Sequence, residues 1–311
     1  MIHGLGTALI TPFHADGSVD YEGLDKLLDI QLTGHVDFLV VLGTTAEAAT
    51  MTEEEKQSVW QFVVNKVNGR LPLVLGLGGN NTQAIKDYIT NHKSQITNHK
   101  SQIQNCAAIL SVCPYYNKPS QEGLFQHFAA IAKVSPVPII LYNVPGRTGV
   151  NLLPETVMRI YEAFPDKIMG IKEASGNIEQ IKHLLALRDN FKLSTNTLNN
   201  YSKLSTLNST LKIFSGDDNL AAELMAAGAD GLISVASNAY PEAFGQIVHN
   251  ADQALQDHYD DLVKYLFIEG NPSGIKTVLS QMGVIENHLR LPLVPNSEST
   301  QKLIQQCIRS L

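Results

Sequence analysis

Charge is scarce in this chain of 311 residues. Asp, Glu, Lys and Arg make up 17% of it, against about 25% in an ordinary globular protein. The scarcity does not signal disorder, which needs low hydrophobicity together with high net charge; here 44% of residues are hydrophobic. Basic runs are missing and the net charge is −7, so a nucleic-acid backbone is not an expected partner. Cysteine is sparse too. Cys106, Cys113 and Cys307 show no CxxC spacing, which argues against a disulfide framework and against a zinc site. No apolar run approaches the roughly 20 residues of a membrane span; Phe38–Leu42 and Ile139–Leu141 are strand-sized. No basic leader with a small-residue cleavage site follows Met1, so a secretory signal is not expected. These absences point to a soluble, reduced, cytoplasmic protein that uses no membrane.

Several catalytic motifs are also missing. Ten histidines include no HExxH, and no G-x-S-x-G elbow is present, which leaves zincins and α/β-hydrolases unsupported. The first strand is followed by Thr11-Pro12-Phe13-His14 rather than a dinucleotide fingerprint. Gly76-Leu77-Gly78-Gly79-Asn80 is glycine-rich, but it follows the third strand and reads as a tight strand-to-helix turn. The run Asp257-His258-Tyr259-Asp260-Asp261 reads as a helix face rather than a metal site, because consecutive helical residues diverge. Asp217-Asp218 reads as the N-cap of the next helix.

What is present is an alternation. Short apolar runs occupy Leu5–Thr11, Asp37–Leu42, Leu71–Leu77, Ala107–Val112, Val137–Tyr142, Lys167–Lys172, Leu211–Ser215 and Gly231–Val235. Near-continuous apolarity is the mark of parallel strands buried on both faces. Helical patterns lie between them. Leu24, Leu27, Leu28 and Leu32 share one face of Tyr21–Leu32, and Thr52 with Glu55 forms a capping box. Glu122–Lys133, Pro154–Phe164, Ile178–Leu187 and Asn219–Ala227 continue the series. Eight strands, each followed by a helix, predict a (β/α)8 TIM barrel over residues 1–239. Residues 240–311 read as an additional C-terminal helical region, with helices over Glu242–Val248, Ala251–Phe267, Pro272–Met282 and Ser297–Arg309.

Two segments look inserted. Thr90–Ile96 reads TNHKSQI and Thr97–Ile103 repeats it. Seven residues drift only about 20° around a helix, so the duplication over 90–103 can lengthen a helix without turning its apolar side outward. Residues 192–211 are mostly Ser, Thr and Asn and read as a polar loop. Both lie between a helix and the next strand, on the barrel face away from chemistry.

In a barrel, functional residues gather where strands end. Lys172 ends the apolar run Ile168-Met169-Gly170-Ile171. Partial desolvation there favours the neutral amine, which can attack a carbonyl and form a Schiff base. On position alone, an ion pair with a neighbouring carboxylate explains Lys172 equally well. Tyr142 ends the preceding strand, and its phenol could relay protons to an imine. Thr44 and Tyr116 sit on other strand ends and could extend that relay, although a packed tyrosine with a satisfied hydroxyl is the plainer reading of each. Arg147, in a loop rich in Pro and Gly, suits bidentate binding of a carboxylate or is simply a surface arginine.

These residues lie within GTTAE at Gly43–Glu47, PYYNKPSQEGL at Pro114–Leu124, YNVPGRTG at Tyr142–Gly149, GIKEASGN at Gly170–Asn177 and SGDD at Ser215–Asp218. Through them the chain resembles the dihydrodipicolinate synthase family, within the pyruvate-dependent class I aldolases. The resemblance runs from Gly4 to about Val294 and implies a lyase of lysine and diaminopimelate biosynthesis. It implies a condensation of pyruvate with L-aspartate 4-semialdehyde, with Lys172 forming the Schiff base. Tyr142, Thr44 and Tyr116 resemble a proton-relay triad, with Tyr116 reaching into a neighbouring subunit. Thr45 with Thr44 matches the holders of the pyruvate carboxylate, and Arg147 the binder of the semialdehyde carboxylate. Gly216 and Ile233 match positions whose backbone lines the pyruvate pocket. No metal or organic cofactor is implied, and a homotetramer, a dimer of dimers, is.

Two departures stand out. Ala46 replaces the glycine usual in the family, which costs little if its φ is negative. Ala49, Asn80 and Tyr115 match a lysine effector site, but Ala48, Glu53 and Lys56 do not carry its usual polar set. Lys56 would oppose a cationic effector, so lysine inhibition is expected to be weak or absent. The alternatives are a sialic-acid or 2-keto-3-deoxy-sugar lyase of the same superfamily, disfavoured by Arg147 and the Tyr115-Tyr116 pair, and a catalytically silent barrel serving as a binding protein.

Overall fold

A computed structural model describes residues 2–91, 106–197 and 210–311. Its strands are β1 (Gly4–Ala8), β2 (Phe38–Val41), β3 (Leu73–Gly76), β4 (Cys106–Val112), β5 (Ile139–Asn143), β6 (Ile168–Glu173), β7 (Lys212–Ser215) and β8 (Gly231–Ser234). They pair in parallel, in sequence order, and β8 returns to β1, so the sheet is a closed barrel. At the closing seam Gly4 and Gly231 are register partners, and a Cβ on Gly231 would stand 2.1 Å from the Gly4 carbonyl oxygen. Only glycine permits that approach.

Helices alternate with the strands: α1 (Tyr21–Thr33), α2 (Glu53–Val67), α3 (Thr82–Asn91), α4 (Gln121–Val134), the single turn α5 (Pro145–Thr148), α6 (Pro154–Ala163), α7 (Ile178–Thr197) and α8 (Ala221–Ala226). The expected capping box opens α2: Thr52 Oγ1 accepts from Glu55 N at 3.2 Å, and Thr52 N donates to Glu55 Oε2 at 2.9 Å. After β8 come α9 (Pro241–Asn250), α10 (Gln253–Phe267), α11 (Ser273–Gln281) and α12 (Glu298–Ser310). Helix α9 lies against β1 and β8, while α10, α11 and α12 pack on one another beside the barrel.

The strands are buried on both faces, as their apolarity predicts. Leu39, Val41, Ile139, Leu141, Ile213 and Leu232 point outward into the layer under the helices. Phe38, Val40, Val74, Leu110, Ile140, Phe214 and Ile233 point into the lumen. Toward the N-terminal end the lumen is plugged by Ile2 and by Phe38 against Phe214, ring centroids 5.7 Å apart. The lumen is thereby filled at that end.

Three expectations need correction. Helix α7 runs on to Thr197, six residues into the segment read as a loop. Ser, Thr and Asn lie only a few tenths of a kcal/mol from average helix formers, and 192–197 contains no Gly or Pro to stop propagation. The helix expected from Ala251 begins at Gln253, because Ala251 takes the left-handed conformation (φ 50°) and Asp252 caps Leu255 N at 3.0 Å. Neither Asp217 nor Asp218 caps its own helix; their actual partners appear below. Of the TNHKSQI duplication over 90–103, all but Thr90 and Asn91 lies outside the described residues, as does most of 192–211.

Candidate active site at the barrel mouth

Tyr142 and Lys172 are register partners across β5 and β6 and share the lumen face. Lys172 is 5% exposed, and its Nζ lies 4.7 Å from the centroid of the Tyr142 ring. Among the described residues it makes no ion pair, which removes the structural alternative left open by its position. The next residues on both strands, Asn143 and Glu173, point the other way and join each other. Asn143 Nδ2 donates to both Glu173 oxygens at 3.1 and 3.0 Å, and Ser175 N and Gln180 Nε2 add two more donors. Burial raises the Glu173 carboxyl above its ordinary range against these four bonds. The network pins the register that places Tyr142 beside Lys172.

Gly216 borders the same amine. A Cβ there would stand 2.9 Å from Lys172 Cε and 2.5 Å from Ala174 Cβ. Asp217 accepts from Gly176 N at 3.1 Å. Asp218 is fully buried and accepts from Ser234 Oγ, Val235 N and Ala236 N, so it caps the turn after β8 instead of its own helix. A carboxylate with three tertiary donors gains more than one exposed N-cap bond offers. Burial pushes Asp218 up to about 6, with these bonds and Lys172 pulling it down. Ile233 is buried in the lumen on β8.

A cavity of about 670 Å³ opens at the mouth, lined by Thr44, Tyr142, Val144, Arg147 and Tyr115 among others. Thr44 and Thr45 form a single helical turn, Thr44–Ala46, after β2. Ala46 has no positive φ; Glu47, the next residue, takes the left-handed conformation instead (φ 54°). The alanine therefore carries no backbone strain. Thr45 is buried and its Oγ1 accepts from Asn271 Nδ2 at 2.9 Å. Arg147 Nη2 donates to the Asn271 carbonyl at 3.2 Å. Asn271 thus joins two of the expected binding residues. Sequence reading missed it, since a single Asn before a proline carries no signal of contacts 226 and 124 residues away.

Tyr116 is not brought into this cavity. It is 88% exposed, at φ 73°, and its neighbour Tyr115 lines the wall instead. The expected effector residues Ala49, Asn80 and Tyr115 do line the cavity, with Ala48, Glu53 and Lys56. Lys56 Nζ pairs with Glu53 Oε1 at 2.7 Å. Among the described residues no His, Cys, Asp or Glu group could hold a metal ion. In the 257–261 run only Tyr259 turns inward, against Phe244 and Tyr240. No helix among the described residues is long and apolar enough to cross a membrane.

A closed parallel barrel with an unpaired lumenal lysine beside a phenol, at the strand C-termini, defines a class of barrel equipped for imine chemistry on a carbonyl compound. The comparisons narrow it. The model of the dihydrodipicolinate synthetase family matches residues 1–311. The 4-hydroxy-tetrahydrodipicolinate synthase of Parabacteroides distasonis is 44% identical, covering 100% of this chain and 97% of that protein. The dihydrodipicolinate synthase structure from Thermotoga maritima matches with a TM-score of 0.86 at 36% identity, over 99% of this chain and 98% of that one. The enzyme from Acinetobacter baumannii, solved chloride-inhibited and complexed with pyruvate, gives 0.85 at 35% identity, over 100% and 99%. The chain belongs to the dihydrodipicolinate synthetase family.

Proposed function

We propose that the chain condenses pyruvate with L-aspartate 4-semialdehyde, as a 4-hydroxy-tetrahydrodipicolinate synthase of lysine and diaminopimelate biosynthesis. The observation that carries the reading is the Tyr142–Lys172 pair: an amine that makes no ion pair among the described residues, 4.7 Å from a phenol ring, at the mouth of the barrel. Lys172 Nζ attacks the pyruvate carbonyl carbon, and loss of water gives an imine. Loss of a proton from the pyruvate methyl gives an enamine, the imine nitrogen having taken up the electron pair. The enamine carbon bonds to the aldehyde carbon of the second substrate. Attack by that substrate's own amine on the imine carbon closes the ring and releases Lys172. No metal or organic cofactor is needed, because the imine is the electron sink.

Tyr142 and Thr44, which line one cavity, carry protons in these steps. Thr44 and Thr45 hold the pyruvate carboxylate, and Arg147 takes the carboxylate of the semialdehyde in a bidentate pair. Gly216 and Ile233 leave room for pyruvate beside the lysine. Tyr116, exposed and outside its own cavity, completes the relay of a neighbouring subunit in a cytoplasmic homotetramer. The naming of the relatives as synthases supports this reading over a sugar lyase.

The test is sequential. Incubation with pyruvate and borohydride yields a mass adduct on Lys172, and addition of aspartate semialdehyde without borohydride yields a heterocycle. An adduct without the heterocycle indicates a sugar aldolase. The absence of any adduct indicates a silent barrel.

A further inference from the structure

Resting on that assignment, we infer that Lys276 is a positioning residue for the pyruvate-binding turn, acting through Glu47. Glu47 follows the Thr44–Ala46 turn and its N–H donates to the Thr44 carbonyl at 3.1 Å. Any displacement of Glu47 is therefore passed to Thr44. Its left-handed backbone (φ 54°, ψ 31°) is one that side-chain-bearing residues adopt rarely. The C-terminal region restrains it. Glu47 Oε1 meets Lys276 Nζ at 2.5 Å, and Glu47 Oε2 accepts from Arg290 N at 3.0 Å.

The pair is sealed. Both side chains are 0% exposed. Lys276 Nζ also donates to the His288 carbonyl at 2.9 Å and lies 4.3 Å from the Phe13 ring centroid. Arg290 stands over the same ring at 4.4 Å and pairs with Glu55. Two cations and two carboxylates thus balance side by side, and loss of either Glu47 or Lys276 alone leaves a fully buried charge uncompensated.

A purely structural role would explain a buried pair anywhere in the fold. This one is tied at one end to the turn that presents Thr44 and Thr45, and α11, which carries Lys276, begins two residues after Asn271, the donor to Thr45 Oγ1. Two independent tethers from one segment therefore converge on one turn. Their common effect is to fix the hydroxyls that would meet a carboxylate before the substrate arrives.

The test compares Glu47→Asp, which keeps the charge but shortens its reach, with the double variant Glu47→Gln/Lys276→Met, which removes both charges and strands neither. Native near-UV circular dichroism establishes folding, and steady-state kinetics separate the two substrates. The double variant is expected to raise the pyruvate KM at least about ten-fold, equivalent to 1.4 kcal/mol. Its kcat falls alongside, because the same turn carries Thr44 of the proposed proton relay, while the semialdehyde KM stays within about two-fold. Glu47→Asp gives an intermediate pyruvate KM. A pyruvate KM within two-fold of wild type in either folded variant would overturn the inference. So would an equal rise in both KM values. Failure of wild type to form a pyruvate adduct is a separate result, which overturns the functional assignment instead.

Discussion

Tyr142 and Lys172 face each other in register across two adjacent strands, with the lysine nitrogen 4.7 Å from the tyrosine ring centroid. The ring lies against the amine, and the hydroxyl, which makes no hydrogen bond among the described residues, is the group proposed to transfer protons. Tyr142→Phe keeps the first and deletes the second. Its kcat is expected to fall about 10²–10⁴-fold, the usual span for general acid–base catalysis. Unfolding stability should change by less than about 0.5 kcal/mol, because the hydroxyl makes no hydrogen bond among the described residues. A kcat within three-fold of wild type, measured at saturating substrates, would remove Tyr142 from the relay.

Gly216→Ala tests the space around the amine. The new methyl would stand 2.9 Å from Lys172 Cε and 2.5 Å from Ala174 Cβ. Overpacking of this kind costs about 1–3 kcal/mol, and the lysine is the neighbour able to swing away. Trapping by pyruvate and borohydride is expected to slow about 10²-fold, since such a misplacement spoils the attack geometry. A trapping rate equal to wild type would show that Gly216 does not set the position of Lys172.

Glu55→Gln isolates a charge. Glutamine still serves in the capping box with Thr52, but the ion pair to Arg290 at 2.5 Å is lost. Arg290 holds the Glu55 carboxyl down to about 2, from an ordinary value of 4.5. A lowered carboxylate contributes stability that is complete above the unfolded value and disappears as pH falls through the folded one. The pair is partly exposed, at 17% and 29% of its side-chain surfaces, so the expected loss at pH 7 is about 1 kcal/mol. Urea unfolding of wild type and variant should converge as pH drops from 4.5 toward 2. A gap that persists at the acid end contradicts the assignment.

Lysine inhibition is expected to be weak. Lys56 puts an ammonium in the wall formed by Ala48, Ala49, Asn80 and Tyr115, where the effector's own cation would be repelled. Glu53 offsets that charge only in part, being half exposed. Half-inhibition is expected above about 1 mM, and Lys56→Ala should lower that figure. Half-inhibition at micromolar lysine, read from initial rates, would refute it.

The barrel was legible because each of its strands is apolar on both faces, and the place of Tyr142, Thr44 and Arg147 at the mouth, with Lys172 in register beside Tyr142, was legible because each lies where an apolar strand ends. Legibility failed wherever a partner lies far along the chain. Asp218 reads locally as a helix cap, yet Ser234, Val235 and Ala236 claim it. Lys276 sits on a helix whose sequence signals nothing about Glu47, and Asn271 looks like ordinary loop. Segment 192–197 reads as loop by composition, but helix α7 had no reason to stop there. In each case tertiary geometry decided between local options that the residues themselves left nearly equal.

The aromatic plug of Phe38 and Phe214 makes the lumen a tube with one open end. Lys172 is paired in register with Phe214, so the plug begins directly beside it. On the proposed chemistry, water released as an imine forms would leave by the route that substrate uses to enter, past Tyr142 and Thr44. Water returning to hydrolyse that imine would need the same entrance, which the second substrate would then occupy. Occupancy of the mouth would therefore act as a timer, shielding the imine once the second substrate arrives.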